Sequence, residues 1–296
     1  MKHLYDIFHK ALEENSAAKS PHNLYEPVDY LLQLGGKRVR PILCLIGCEM
    51  FDGNIQKAIP PAMGIEYFHN FTLAHDDIMD AAPLRRGKAT MHTKYDINTA
   101  ILSGDVMFAK SYEFMCQVDA SILPSVLQVF NQTAIEVCEG QQYDMDFETM
   151  SVSDVAVSDS LKMIEVKTAV LIAASLKIGA LVGGASLSEA QSLYEFGRLA
   201  GIAFQLQDDI LDTYGTSVNF GKQVGGDIIQ NKKTYLLLQA VELADEKKMK
   251  EILHFLSLQD FDKNEKVAAI KKIFNSLMIK QKAEKLMEAY YKKACN

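Results

Sequence analysis

Apolar residues recur at three- and four-residue intervals through positions 42–50, 101–115, 122–138, 161–174, 193–211, 235–244 and 270–291. That spacing lines one face of a helix, so each stretch predicts an α-helix. No convincing run of alternating residues predicts a sheet. Breaks are expected at Gly35-Gly36, Asp52-Gly53-Asn54, Pro60-Pro61, Pro83 and Gly183-Gly184. Two segments read as loops. One is 150–158, rich in Ser and Asp; the other is 214–233, which carries Gly215, Gly221, Gly225 and Gly226 and is a candidate lid. The pattern predicts an all-α fold.

Composition narrows this only a little. Of the 296 residues 48% are hydrophobic, enough for a large core, and no linker, repeat or low-complexity tract interrupts them. Residues 1–296 are therefore expected to form a single domain. Lys and Arg total 31 against 38 Asp and Glu, and the net charge of −7 disfavours a nucleic-acid partner. Met1 to Asp6 is polar and mixed, with no signal-peptide core. No uninterrupted apolar run of about 18 residues is found, so no transmembrane segment is expected. The five cysteines do not form a disulfide framework, and Cys44 and Cys48, one helical turn apart in an apolar stretch, read as core thiols. A reduced, cytoplasmic protein is expected.

The chemistry lies in two copies of Asp-Asp-x-x-Asp: Asp76, Asp77 and Asp80, then Asp208, Asp209 and Asp212. Both follow apolar helical stretches, so the first and last acids of each motif share a helix face. Like charges at that spacing cost a helix roughly 0.2–0.5 kcal/mol per pair unless a cation sits between them. Clustered carboxylate oxygens suit Mg²⁺, which fills its other positions with water and substrate phosphate. Two such clusters would hold a diphosphate. Basic residues lie close by. Arg85-Arg86-Gly87-Lys88 follows the first motif, and guanidinium forks bind phosphate oxygens in pairs. Gly35-Gly36-Lys37-Arg38-Val39-Arg40-Pro41 precedes an apolar helix and reads as an anion site that needs no metal. Lys222, Lys232 and Lys233 follow the second motif, and His69 and His75 flank the first acidic helix. Two phosphorylated substrates are implied, one held through Mg²⁺ and one by Arg and Lys alone. No dinucleotide fingerprint, P-loop or Ser-His-Asp arrangement is present.

Taken with Gly140-Gln141-x-x-Asp144, Lys167-Thr168 and Phe204-Gln205, these motifs resemble the trans-isoprenyl diphosphate synthases, the polyprenyl synthetase family, in order and spacing. The resemblance implies an all-α bundle of roughly a dozen helices around a deep central cavity, and a homodimer. It implies that Asp76, Asp80 and Asp208 ligate three Mg²⁺ (Mn²⁺ substituting), with Asp77, Asp209 and Asp212 as direct or water-mediated support. Arg85, Lys167 and Lys232 would contact the allylic diphosphate (dimethylallyl, geranyl or farnesyl), with Lys222 close by. Lys37, Arg40, His69 and Arg86 would hold isopentenyl diphosphate, and Thr168, Gln205 and Gln141 would line the reacting centre. The family also places its hydrocarbon floor one turn before the first acidic motif, here Phe71 and Thr72. One aromatic and one small residue imply a twenty-carbon product, geranylgeranyl diphosphate. The alternatives are farnesyl diphosphate, a longer polyprenyl diphosphate, and a non-catalytic partner subunit of another synthase. A terpene cyclase is disfavoured by the second Asp-Asp-x-x-Asp and by residues 35–41.

Overall fold

A computed structural model describes residues 1–15, 20–215 and 225–296. In chain order the helices begin with α1 (Lys2–Glu14), α2 (His22–Gln33), α3 (Val39–Glu49), α4 (Ile55–Met79), α5 (Met91–Lys94) and α6 (Ile97–Met115). Next come α7 (Leu123–Thr149), α8 (Val157–Ile164), a π-helical turn at Glu165–Ala169, α9 (Val170–Gly183) and α10 (Leu187–Tyr214). The last are α11 (Gly226–Ile229), α12 (Tyr235–Leu243), α13 (Glu246–Ser257), α14 (Lys263–Ser276) and α15 (Ile279–Cys295). The fold is all-α, as the periodicity predicts. The strands among the described residues are a two-residue hairpin, Leu84–Arg85 paired antiparallel with Lys88–Ala89. Its turn, Arg86-Gly87, has positive φ at both positions (+54° and +76°), as a two-residue hairpin requires.

The chain divides into two compact units. The first comprises Met1–Ala134 and Leu171–Glu195, the second Ile135–Val170 and Phe196–Asn296.

In the first unit, α4 is the central helix and packs on α3 and α6. The Asn54 side chain caps its start by accepting the Gln56 N–H at 3.0 Å. The break expected at Pro60-Pro61 does not occur, because α4 runs through both prolines. A proline inside a helix costs about 3 kcal/mol. Against that, α4 buries Met63, Ile65, Tyr67 and Phe68 among others, each contributing roughly 1.5–3 kcal/mol. Packing wins. Helices α3 and α9 cross with their backbones nearly touching: a Cβ on Gly179 would lie 1.9 Å from the Cys44 carbonyl oxygen. Cys44 and Cys48 are buried in this crossing as core thiols, and all five cysteines are free.

The second unit is built on Ile202, Leu206 and Ile210 of α10, with Leu236 and Leu238 of α12 and Ile270, Ile273 and Phe274 of α14. The single helix expected over 270–291 is instead two. Met278 adopts a left-handed conformation (φ +54°) between α14 and α15. The bend lets Ile279 and Ala283 join the core, and neither glycine nor proline announces it.

The continuous helical stretch Val157–Gly183 is long and apolar enough to cross a membrane by length and composition, although Lys167 and Lys177 interrupt its apolar run. In its most apolar window 72% of residues are buried, as in a core helix.

Candidate active site

Both acidic motifs sit at helix C-termini. Asp76 and Asp77 lie in the last turn of α4 and Asp80 is its C-cap; Asp208, Asp209 and Asp212 occupy the last two turns of α10. Neither last turn carries a basic residue. A helix C-terminus already bears about half a negative charge, so acids there are destabilising by roughly 0.3–1 kcal/mol each. Such a placement makes physical sense where a cation is bound.

In the first unit Asp77 is only 2% exposed and accepts a two-pronged bond from Arg85, with Nε and Nη2 each 2.7 Å from its carboxylate oxygens. Burial raises the Asp77 pKa, and Arg85 opposes that rise. Asp77 and Arg85, both expected to touch metal or diphosphate, are thus engaged with each other, and Asp76 stands 3.9 Å from the same guanidinium. Asp76 and Asp80 are half-buried at the helix end.

A cluster of guanidinium groups surrounds His69. Burial, then Arg40, Arg86, Arg85 and Arg38 in that order, hold its imidazole well below the ordinary histidine range, so it is neutral. Arg40 Nη1 lies 3.3 Å from His69 Nε2, and Arg40 Nε is buried without a partner, a donor open to an anion. Burial lowers the Arg40 pKa to about 10, which leaves it charged at neutral pH. Arg86 donates to the Gly35 carbonyl, and a Cβ on Gly36 would strike its guanidinium at 2.8 Å. Gly36 therefore leaves room for Arg86 to fold back over the Gly35-Gly36 backbone. Arg38 differs from the sequence reading of three cations in one anion site. It is 7% exposed and pairs with Glu66 and the Leu32 carbonyl. Lys37 is exposed. Four arginines against Glu66, Asp76 and Asp77 still leave an excess of positive charge.

Phe71 and Thr72 stand one turn before Asp76. The Phe71 ring stacks on Phe108 of α6 (centroids 5.0 Å apart), and its edge meets His75 at 4.8 Å. Phe68, Tyr112 and Phe130 extend the aromatic cluster. The Thr72 hydroxyl donates to the His69 carbonyl at 2.8 Å. His75 faces α6, with Nε2 3.2 Å from the Ile101 carbonyl oxygen.

In the second unit a cleft of about 190 Å³ gathers Lys167, Thr168, Gln205, Asp208, Asp209, Asp212 and Lys232, all expected site residues, with Asp144, Asp227 and Lys233. The π turn is what aims Lys167 and Thr168. Lys167 Nζ reaches Asp144 at 2.5 Å. The Thr168 hydroxyl donates to Gln205 Oε1 at 3.3 Å, and Gln205 Nε2 donates to Asp209 at 2.9 Å. Asp209 is 6% exposed, and its pKa is well above the usual carboxylate range, through burial first, then Asp227, with Asp208 and Asp212 adding to it. Four acids within electrostatic reach of one another fit a divalent cation. Among the described residues no three His, Cys, Asp or Glu side chains already converge as a ligand shell. Mg²⁺ suits such a donor set, since it takes few carboxylates and completes its shell with water and phosphate. Asp144, in the Gly140–Asp144 motif, and Asp227, in the segment after the second acidic motif, carry no expected role; only their place in the cleft reveals them. Gln141 is half-buried on α7, outside the residues lining the cleft. Lys222, and the part of the expected lid at 216–224, lie outside the described residues.

The π turn is held by close backbone approach. A Cβ on Gly140 of α7 would lie 2.4 Å from the Lys167 backbone nitrogen, and one on Gly201 2.7 Å from Ala169 Cα. Gly140→Ala is expected to destabilise the protein by about 1–3 kcal/mol, read as a lower melting temperature, because backbone cannot yield as a side-chain tip can.

The polyprenyl synthetase family model matches residues 21–275. The chain is 42% identical over 234 residues to a geranylgeranyl diphosphate synthase of Methanosarcina mazei, covering 78% of this chain and 72% of that protein. It is 39% identical to a geranylfarnesyl diphosphate synthase of Natronomonas pharaonis, covering 79% and 74%. Among solved structures, a geranylgeranyl pyrophosphate synthase superposes with a TM-score of 0.94 at 43% identity, over 99% of this chain and 90% of that one. With its two acidic motifs, its arginine cluster and these relatives, the chain belongs to the polyprenyl synthetase family and is a prenyltransferase.

Proposed function

We propose that the protein condenses isopentenyl diphosphate with an allylic diphosphate and stops at the twenty-carbon product, geranylgeranyl diphosphate. The carrying observation is the contrast in charge: acidic helix ends that call for cations, and a guanidinium cluster around neutral His69 that calls for an anion. Lys37, Arg40, Arg86 and His69 would hold the diphosphate of isopentenyl diphosphate without metal. Asp76, Asp80 and Asp208 would hold Mg²⁺, with Asp77, Asp209 and Asp212 in direct or water-mediated support, and Mg²⁺ when bound would neutralise the charge developing on the departing diphosphate. Lys167 and Lys232 would add to that charge stabilisation from the protein side. The Thr168 hydroxyl spends its proton on Gln205, which leaves its lone pairs to face a developing allylic cation. The isopentenyl double bond attacks that cation, and the proton then lost passes to the released diphosphate. Phe71, backed by Phe108, would stop the growing chain. The protein would act as a homodimer in the cytoplasm, its 296 residues serving as one catalytic domain.

The test is incubation with Mg²⁺, radiolabelled isopentenyl diphosphate and dimethylallyl, geranyl or farnesyl diphosphate, with chromatography of the products. Label in a C20 diphosphate is the expected result. Label ending at C15 or C25 keeps the condensation and removes Phe71 and Thr72 as the floor. Folded protein that incorporates no label with any starter would be a non-catalytic partner subunit.

A further inference from the structure

The buried face of α14 repeats through Lys266, Ile270, Ile273 and Phe274. The helical stripe calls for an apolar residue at its first position, and a lysine stands there with 1% of its surface exposed. Burying an ammonium group is costly unless its donors are used. Lys266 Nζ lies 2.7 Å from Asn231 Oδ1, 3.5 Å from the Ile229 carbonyl oxygen and 4.1 Å from the centre of the Phe261 ring. All three partners are neutral, and among the described residues no carboxylate forms an ion pair with it. Two of them belong to the end of α11. Ile229 is its last residue, and Asn231 sits just beyond in a left-handed conformation (φ +57°), its amide donating to the Leu256 carbonyl at 3.0 Å.

The other end of α11 is held as well. The Asp212 carboxylate accepts the Asp227 N–H at 3.1 Å, and Val267, next to Lys266, packs where a Cβ on Gly225 would stand. An anion at the start and a cation at the end both suit the polarity of this single turn. The residues it carries into the cleft are Asp227 and, directly after Asn231, Lys232, whose backbone N–H donates to the Asp227 carbonyl at 2.9 Å.

We propose that Lys266 is a positioning residue for the diphosphate site: its ammonium clamps the end of α11 and thereby fixes where Lys232 enters the cleft. The inference rests on the proposed contact between Lys232 and the allylic diphosphate, and the experiment separates the two. Lys266→Met, Lys232→Ala and the double variant are compared for kcat and for the KM of each substrate. Amide exchange at Lys232 is followed in protein free of metal and substrate.

Lys266→Met is expected to raise the allylic KM about tenfold, since small misplacements of a binding group are costly, with the isopentenyl KM unchanged. The Lys232 amide should exchange about tenfold faster as its turn loosens. On the Lys232→Ala background Lys266→Met should change the allylic KM less than about twofold, as expected of two residues acting through one contact. An unchanged allylic KM in Lys266→Met, beside a raised one in Lys232→Ala, overturns the proposal. An unchanged allylic KM in Lys232→Ala removes the diphosphate contact, and the positioning role goes with it. If Lys266→Met does not fold, Asn231→Ala removes the acceptor instead and is expected to give the same selective rise.

Discussion

Asp208→Asn is expected to lower kcat by about three orders of magnitude while leaving the substrate-free protein at least as stable as the parent. The two effects have one cause. Asp208 lies near the C-terminus of α10 beside Asp209 and Asp212, and its negative charge helps to hold the Asp209 pKa up. Removing that charge relieves repulsion with its neighbours and with the helix dipole, which adds about 0.3–1 kcal/mol of stability. On the proposed mechanism it also removes a carboxylate that would hold the counter-ions of the departing diphosphate. Melting temperature without metal, and kcat at saturating Mg²⁺, are the two measurements. A variant that melts earlier and keeps its rate would show that Asp208 is a structural acid.

Phe71→Ala is expected to move the main product from C20 to C25 and beyond, and Phe71→Ala with Phe108→Ala to move it further. The ring stack explains the order. Phe71 stacks on Phe108 at 5.0 Å and meets His75 in a T-shaped contact at 4.8 Å, so its ring is packed on two sides. Removing Phe71 alone exposes the Phe108 face behind it, which becomes the next barrier. Removing both opens the cluster toward Phe68 and Phe130. Chromatography of the dephosphorylated products from farnesyl diphosphate reads the length directly. A single variant that still stops at C20 would place the floor elsewhere.

Helix type was legible because burial on one face writes a 3.6-residue period into the sequence, and the breaks at Gly35-Gly36 and Gly183-Gly184 were legible because glycine allows positive φ. Met278 shows the limit. Its left-handed turn is favoured by what Ile279 and Ala283 gain in the core, a tertiary effect that leaves no local mark. Pro60 and Pro61 show the converse, a strong local signal outweighed by burial of α4. Among charged residues, the sequence names the types but not their directions. Arg38 and Arg40 are two apart in one motif, yet Arg38 turns inward to Glu66 while Arg40 stands beside His69. Asp227 joins the cleft on a single helical turn, and Asp144 enters it from α7 to meet Lys167 of the π turn, placements that leave no local mark. Lys266 was invisible for another reason: charge patterning reads a lysine as solvated, and only its burial shows otherwise.

A π turn is an α-helix carrying one extra residue. Each residue of an α-helix advances the chain by about 100° of rotation, so losing a single residue between 165 and 169 would restore a regular helix and swing Lys167 and Thr168 round by roughly that angle. The helix would survive such a deletion far better than the cleft. The number of residues in this turn sets where Lys167 and Thr168 point, so a change of length there is a change of chemistry.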